Sequence, residues 1–249
     1  ALRPPAGFVF DAAMAVTFTL DLRALLAVPA ALTLTESPRS STGETGIEPV
    51  DLLHAVRAHA GNLTIFAQAG EIGVPPSRKV FTFLEDCVAP VTAPRGIVHP
   101  KVWVVRYQSA EGDEKRMRVI SASRNLTFDT SWDTVLVLEE SVDGRGADLG
   151  PVADMFDGLM GASKPSNETA HQERVRSLNE SIRGTRFSLP EGIDELRVHV
   201  MGLGNSSSPL PKDADRSLVV SPFVSDGFFT KVHRGPIDML VSLPEQLDA

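Results

Sequence analysis

Cys87 is the only cysteine among the 249 residues of this sequence. An intramolecular disulfide and a thiolate metal cluster are therefore both excluded. So little cysteine fits a reducing compartment, and the expected location is cytoplasmic. Long apolar runs are missing too. The nearest, Ala12 to Thr33, is interrupted by Asp21 and Arg23, so no segment is expected to span a bilayer. There is no amphipathic membrane-binding stretch, and no membrane partner is expected. The basic amino-terminal region of a signal peptide is absent, and the opening Ala1-Leu2-Arg3-Pro4, with no Met, reads as a processed fragment. Positive charge is also in deficit. Lys and Arg number 24 against 32 Asp and Glu, a net charge of -8, which argues against generic nucleic-acid binding by the whole surface.

The charge that is present is unevenly placed. Arg95, Lys101, Arg106, Lys115, Arg116, Arg118 and Arg124 outnumber Glu111, Asp113 and Glu114 between residues 95 and 125. That stretch is +4, leaving -12 for the remainder. Lys115, Arg116 and Arg118 are also what a solvated hairpin tip would carry.

Hydrophobic patterning alternates between strands and helices. Ala15–Leu20, Leu63–Ala67, Val98–Tyr107, Met117–Ser121, Thr134–Glu139, Glu195–Met201, Ser217–Ser221 and Met239–Ser242 read as strands. Leu22–Leu32 reads as a helix capped by Asp21 and limited by Pro29. Val50–His59, Val152–Leu159 and Pro244–Leu247 also read as helices, and Lys79–Val88 as a strand or a short helix. His171–Ile182 reads as a charged, exposed helix or mobile arm, and Ser37–Thr45 as a polar loop. Gly202–Arg216, rich in Gly, Ser and Pro, reads as a linker or long loop. The expected class is α/β, a mixed β-sheet flanked by helices.

Within the basic stretch, His99-Pro100-Lys101 and Ser123-Arg124-Asn125 stand out. Residues two apart on a strand share a face, so His99 and Lys101 should point the same way. A hairpin folded about Gly112 would set Lys101 opposite Ser123 and His99 opposite Asn125. Such a set suits a phosphodiester. Imidazole is a nucleophile near neutral pH. The Lys, Ser and Asn donors can hold the non-bridging oxygens and stabilise charge developing at phosphorus. A carboxylate is wanted to orient the imidazole, and Asp133 is the candidate. Each residue also has a plainer use: a lone His near a strand start, a Lys on a strand edge, Ser-x-Asn in a turn and Asp133 as a cap.

These residues resemble the phospholipase D superfamily, whose signature is His-x-Lys followed, after a hairpin, by Gly-Ser-x-Asn. The match here is His99-Pro100-Lys101 with Ala122-Ser123-Arg124-Asn125. The resemblance implies a phospholipase D-like α/β/α sandwich and metal-independent hydrolysis through a phosphohistidine, with no cofactor. It implies His99 as nucleophile or acid, Lys101 and Asn125 as phosphate binders and Ser123 as a supporting donor. Arg124 is taken as a further substrate contact and Asp133 as the acidic residue before the next strand. The likeness is nearest to nuclease-like bacterial members, so the expected substrate is DNA or RNA and the expected setting defence or repair. Four features depart from the pattern: Ala122 replaces Gly, Arg106 stands where many members carry Asp, the gap from Asn125 to Asp133 is short for the family's acidic residue, and no second His-x-Lys follows. His54, His59, His171, His199 and His233 all lack a Lys two residues on. The family's mechanism needs a second histidine, from a tandem domain or a homodimer. The expected organisation is therefore a motif-bearing domain at 1–205, then a linker and the start of a second, incomplete domain at 206–249. A silent module of the same fold, gripping phosphate without turnover, is the alternative.

Overall fold

The computed structural model describes residues 1–33, 54, 56–76, 81–94, 96–202, 214–224, 226–229 and 236–247. The Ser37–Thr45 loop, the start of the helix read from Val50, Lys79, Arg95, His233 and most of the 202–216 linker lie outside the described residues. The chain divides into two compact units, Ala1–Val198 and His199–Ala249.

Unit one is an α/β structure built on a mixed six-stranded sheet. The strands are β1 (Phe8–Thr17), β3 (Leu63–Gln68), β5 (Val88–Val91), β6 (Val102–Ser109), β7 (Lys115–Ala122) and β8 (Val135–Glu139), in the order β5-β3-β1-β6-β7-β8. Neighbouring β1, β3 and β5 are parallel, while β6, β7 and β8 continue the sheet antiparallel from β1. Two short parallel strands, β2 (Leu20–Asp21) and β4 (Ile72–Gly73), pair just beyond the ends of β1 and β3.

Helices cover both faces. Leu22, Leu25, Val28 and Leu32 of α1 (Leu22–Thr33) join a core with Ala13, Ala15, Ile65, Val105 and Tyr107. The carboxylate of Asp21 accepts the Arg23 N–H at 2.8 Å, capping that helix as its residue type favours. Leu84 of α2 (Thr82–Glu85) packs into the same core. Two longer helices, α3 (Gly150–Gly161) and α4 (Glu168–Arg183), pack on each other, and α4 also contacts β1 and β3. The ring of Phe156 lies 5.8 Å from that of Phe66. Two further short strands, β9 (Ala147–Asp148) and β10 (Arg186–Phe187), pair beside this layer.

Two sequence expectations give way here. Residues 168–183 are no mobile arm, because His171, Val175, Leu178 and Ile182 fall at intervals of three and four and are buried together. Residues 195–201 alternate in exposure but lie in no strand, since no neighbouring strand among the described residues supplies the hydrogen bonds. Among the described residues no helix is long and apolar enough to cross a membrane.

In unit two, β11 (Leu218–Val220) pairs in parallel with β12 (Met239–Val241), and α5 (Pro244–Leu247) follows. Leu218, Val220, Met239 and Val241 are all exposed or half-exposed at their side chains.

Candidate active site

The C-terminal ends of β1, β3, β5 and β7 lie at the same edge of the sheet as the start of β6. Open α/β sheets offer their binding crevice at the carboxyl ends of parallel strands. His99 and Lys101 arrive there on the extended run Val98–Lys101 that leads into β6. That run is anchored by Gln68, at the end of β3, whose Oε1 accepts the Val98 N–H at 2.9 Å.

The two side chains meet. The Lys101 Nζ lies 3.4 Å from Nδ1 and 3.3 Å from Nε2 of His99, and donates to the His99 carbonyl at 3.0 Å. An ammonium has three N–H donors. One is fixed on the carbonyl and one lies against the ring, which leaves a third for a ligand. Burial and then the neighbouring Lys101 charge hold the His99 pKa below its ordinary value. Burial lowers that of Lys101 as well. A cation beside an imidazole with a lowered pKa keeps the ring neutral, the form that is nucleophilic.

Asn125 reaches the same end of β1. Its Oδ1 accepts the N–H groups of Phe18 at 3.3 Å and Thr19 at 3.4 Å. Its Nδ2 has no partner among the described residues and can donate to a ligand. The ring of Phe18 stands 5.4 Å from that of His99, tilted by 45°. Thr17 ties the group together: its hydroxyl donates to the Thr19 carbonyl at 2.9 Å and accepts the Leu126 N–H at 3.0 Å. Phe18, Thr17 and Gln68 were not singled out from the sequence. Their signal is positional, each sitting at the carboxyl end of a parallel strand.

Ser123, Arg124 and Asp133 form a separate group. The Ser123 hydroxyl donates to Asp133 Oδ1 at 3.0 Å and accepts the Thr134 N–H at 2.9 Å. Arg124 Nε pairs with Asp133 Oδ2 at 2.8 Å, and its other end holds Asp129 at 3.1 Å. Asp133 thus fastens the turn between β7 and β8, and no hydrogen bond joins it to His99 among the described residues. The cause is the register. The β6–β7 ladder pairs Val102 with Ser121, and Ala122 donates to the Lys101 carbonyl at 2.9 Å. The hairpin is one residue out from the symmetric estimate, so Ala122, not Ser123, is set beside Lys101. A one-residue slip sends Ser123 to the other face.

The basic stretch is also less available than its composition implies. Arg106 pairs with Asp11 at 2.5 Å, Arg116 with Glu114 at 2.6 Å and Arg118 with Glu139 at 2.7 Å. Arg106, only 9% exposed, places a guanidinium that clamps α4 to the sheet through Ser177 and Ser181. Among the described residues no group of three His, Cys, Asp or Glu side chains is placed to hold a metal ion. No protein-family model matches the chain, and no curated protein matches it.

Proposed function

We propose that this chain carries half of the active site of a metal-independent phosphodiesterase of the phospholipase D type, acting on nucleic acid. The observation that carries this reading is the Lys101 ammonium set against a His99 ring whose pKa is lowered, with the Asn125 amide held at the same strand end. In this scheme a ring nitrogen of His99 attacks phosphorus, the P–O bond to the leaving group breaks, and the imidazole becomes a phosphohistidine. Lys101 and Asn125 Nδ2 donate to the non-bridging oxygens, where negative charge grows. The leaving alkoxide needs a proton. The described residues offer no second imidazole in this cluster, so that acid comes from another domain or another chain. Water then releases the phosphate from His99. Ser123, Arg124 and Asp133 shape the β7–β8 turn and take no part in this scheme. The parallel pair β11 and β12, a strand-crossover-strand unit like β1 and β3, supports reading residues from 206 onward as the opening of a second such domain.

The alternative, a module that grips phosphate without turnover, is favoured by one observation: the carboxylate expected on His99 is spent on Ser123 and Arg124. Hydrolysis of a nitrophenyl phosphodiester in EDTA separates the two. A nitrophenolate leaves without a proton, so the missing acid is no obstacle to the first step. The enzyme reading predicts nitrophenolate release that disappears in His99→Ala. Release that survives that substitution rules it out, and no release with retained phosphate binding supports the silent module.

A further inference from the structure

β8 is the outer strand of the six-stranded sheet, and among the described residues its free side takes a single backbone hydrogen bond. Thr134 accepts the Ser123 N–H and Glu140 donates to the Met117 carbonyl, so even-numbered residues of this segment turn their backbone groups toward β7. Val135, Val137 and Glu139 therefore turn theirs outward. The Glu139 carbonyl is taken by the Ser188 N–H at 2.9 Å, where the chain passes after β10. Val135 and Val137 each keep an outward N–H and C=O with no partner among the described residues. Exposed apolar side chains surround them: Val135, Leu136, Val137, Phe128 at 70% and Trp132 fully exposed. No Lys, Pro or bulge blunts the strand, the devices by which sheet edges normally avoid pairing.

We propose that β8 pairs with β8 of a second copy of this chain, antiparallel about a two-fold axis through Leu136. The free groups fit this symmetry. The two outward residues are two apart, so a two-fold at Leu136 sets Val135 against the partner's Val137 and Val137 against the partner's Val135. The outward groups of Val135 and Val137 are then all paired, and the Glu139 carbonyl already covered by Ser188 is left alone. Leu136 turns its own backbone to β7, so it meets its counterpart as a non-hydrogen-bonded pair, where side chains approach closest. The valines of both copies cluster on the opposite face.

The charges permit it. Asp133 would lie opposite the partner's Glu139, but Arg124 holds the first and Arg118 the second within each copy. Those same charges disfavour a nucleic acid on this surface, since Asp129, Asp133 and Glu139 meet its phosphates and Arg124 is already engaged. This dimer is independent of the proposed chemistry. Five strand spacings separate the two β6 strands, about 24 Å at about 4.8 Å each, so neither His99 completes the other's site.

Sedimentation velocity of the full chain tests the pairing, together with hydrogen exchange at Val135 and Val137. The expected result is a dimer forming in the micromolar range, with those two amides slowing as concentration rises. Val137→Pro removes one outward donor without touching the β7 ladder, and Leu136→Lys places like charges on the axis. Each should weaken dimerisation by about tenfold or more with circular dichroism unchanged. If Val137→Pro misfolds, Leu136→Lys alone decides. A chain that stays monomeric overturns the proposal, as does a dimer undiminished in a folded variant. Edge amides already protected in the monomer overturn it too, because they would show another segment lying on the edge.

Discussion

Arg106 offers the most quantitative test of how α4 is held to the sheet. The β1–β6 register shifts between Phe10 and Ala12, so Asp11 is the extra residue of a β-bulge. Bulges re-aim a side chain, and here Asp11 reaches Arg106 Nε at 2.5 Å. The other end of the guanidinium donates to the Ser177 carbonyl at 3.3 Å, the Ser177 hydroxyl at 2.9 Å and the Ser181 hydroxyl at 3.0 Å. Arg106→Met keeps an unbranched apolar stem and removes all of these bonds. Breaking one partner of a buried pair costs roughly 3–5 kcal/mol. Asp11 keeps a quarter of its side chain in water, which returns part of that cost. The expected loss is about 3 kcal/mol, or roughly 9 °C in Tm for a unit of this size. Urea unfolding followed by circular dichroism at neutral pH measures it. Asp11→Leu added to Arg106→Met removes the stranded carboxylate and should recover about half the loss. A single-variant loss below about 1 kcal/mol, or a double variant no better than the single, refutes the clamp.

Lys101→Met should move the pH dependence of the His99 reaction. Both burial and the Lys101 charge lower the His99 pKa, so in the wild type nitrophenolate release should stay level as pH falls through 6.5 and drop only at lower pH. Removing the charge should shift that drop to higher pH, and an unmoved profile would show that Lys101 does not act on the ring. His171 sets a second pH window, this one on stability. It is wholly buried, its Nδ1 lies 2.9 Å from the Thr64 hydroxyl, and its Nε2 has no hydrogen-bond partner among the described residues. Burial, then the nearby Arg174 charge, lowers its pKa, although Asp86 acts in the opposite sense. Near and below its ordinary value of about 6.5 the unfolded chain binds a proton that the folded chain refuses. Stability from this group is therefore complete above pH 6.5 and is lost as pH falls below it. Chemical unfolding between pH 7.5 and 5 should show this slope, and His171→Phe should flatten it.

The strands were legible where β-branched residues alternate or run together, as in residues 102–107 and 135–139. The start of β1 was not. Phe8 to Ala13 contains Asp11 and two alanines, and only the bulge and Arg106 explain how a carboxylate sits there. Helix α4 was legible as a helix but not as a buried one, because its charged residues mask a buried stripe at 171, 175, 178 and 182. His99, Lys101 and Asn125 were legible as residue types at a spacing. The use of Ser123, Arg124 and Asp133 was not, because it depends on a register that no turn residue in Gln108–Lys115 fixes to a single position. Gly112 marks a turn but does not say where the ladder closes. Nor could composition show that Arg106 and Arg118 are paired, since their carboxylates, on Asp11 and Glu139, lie far off along the chain or on the next strand.

The central claim is that His99 is a nucleophile toward phosphorus. The most direct measurement is to mix the chain with a nitrophenyl phosphodiester in EDTA, quench in alkali, where phosphohistidine survives, and map the modified peptide by mass spectrometry. With no second imidazole in this cluster among the described residues to assist hydrolysis, the intermediate should accumulate. The account predicts one nitrophenolate released per chain and a phosphoryl group, still carrying the diester's other ester substituent, on His99, both absent in His99→Ala. An unmodified His99, or the same modification elsewhere in His99→Ala, would contradict it.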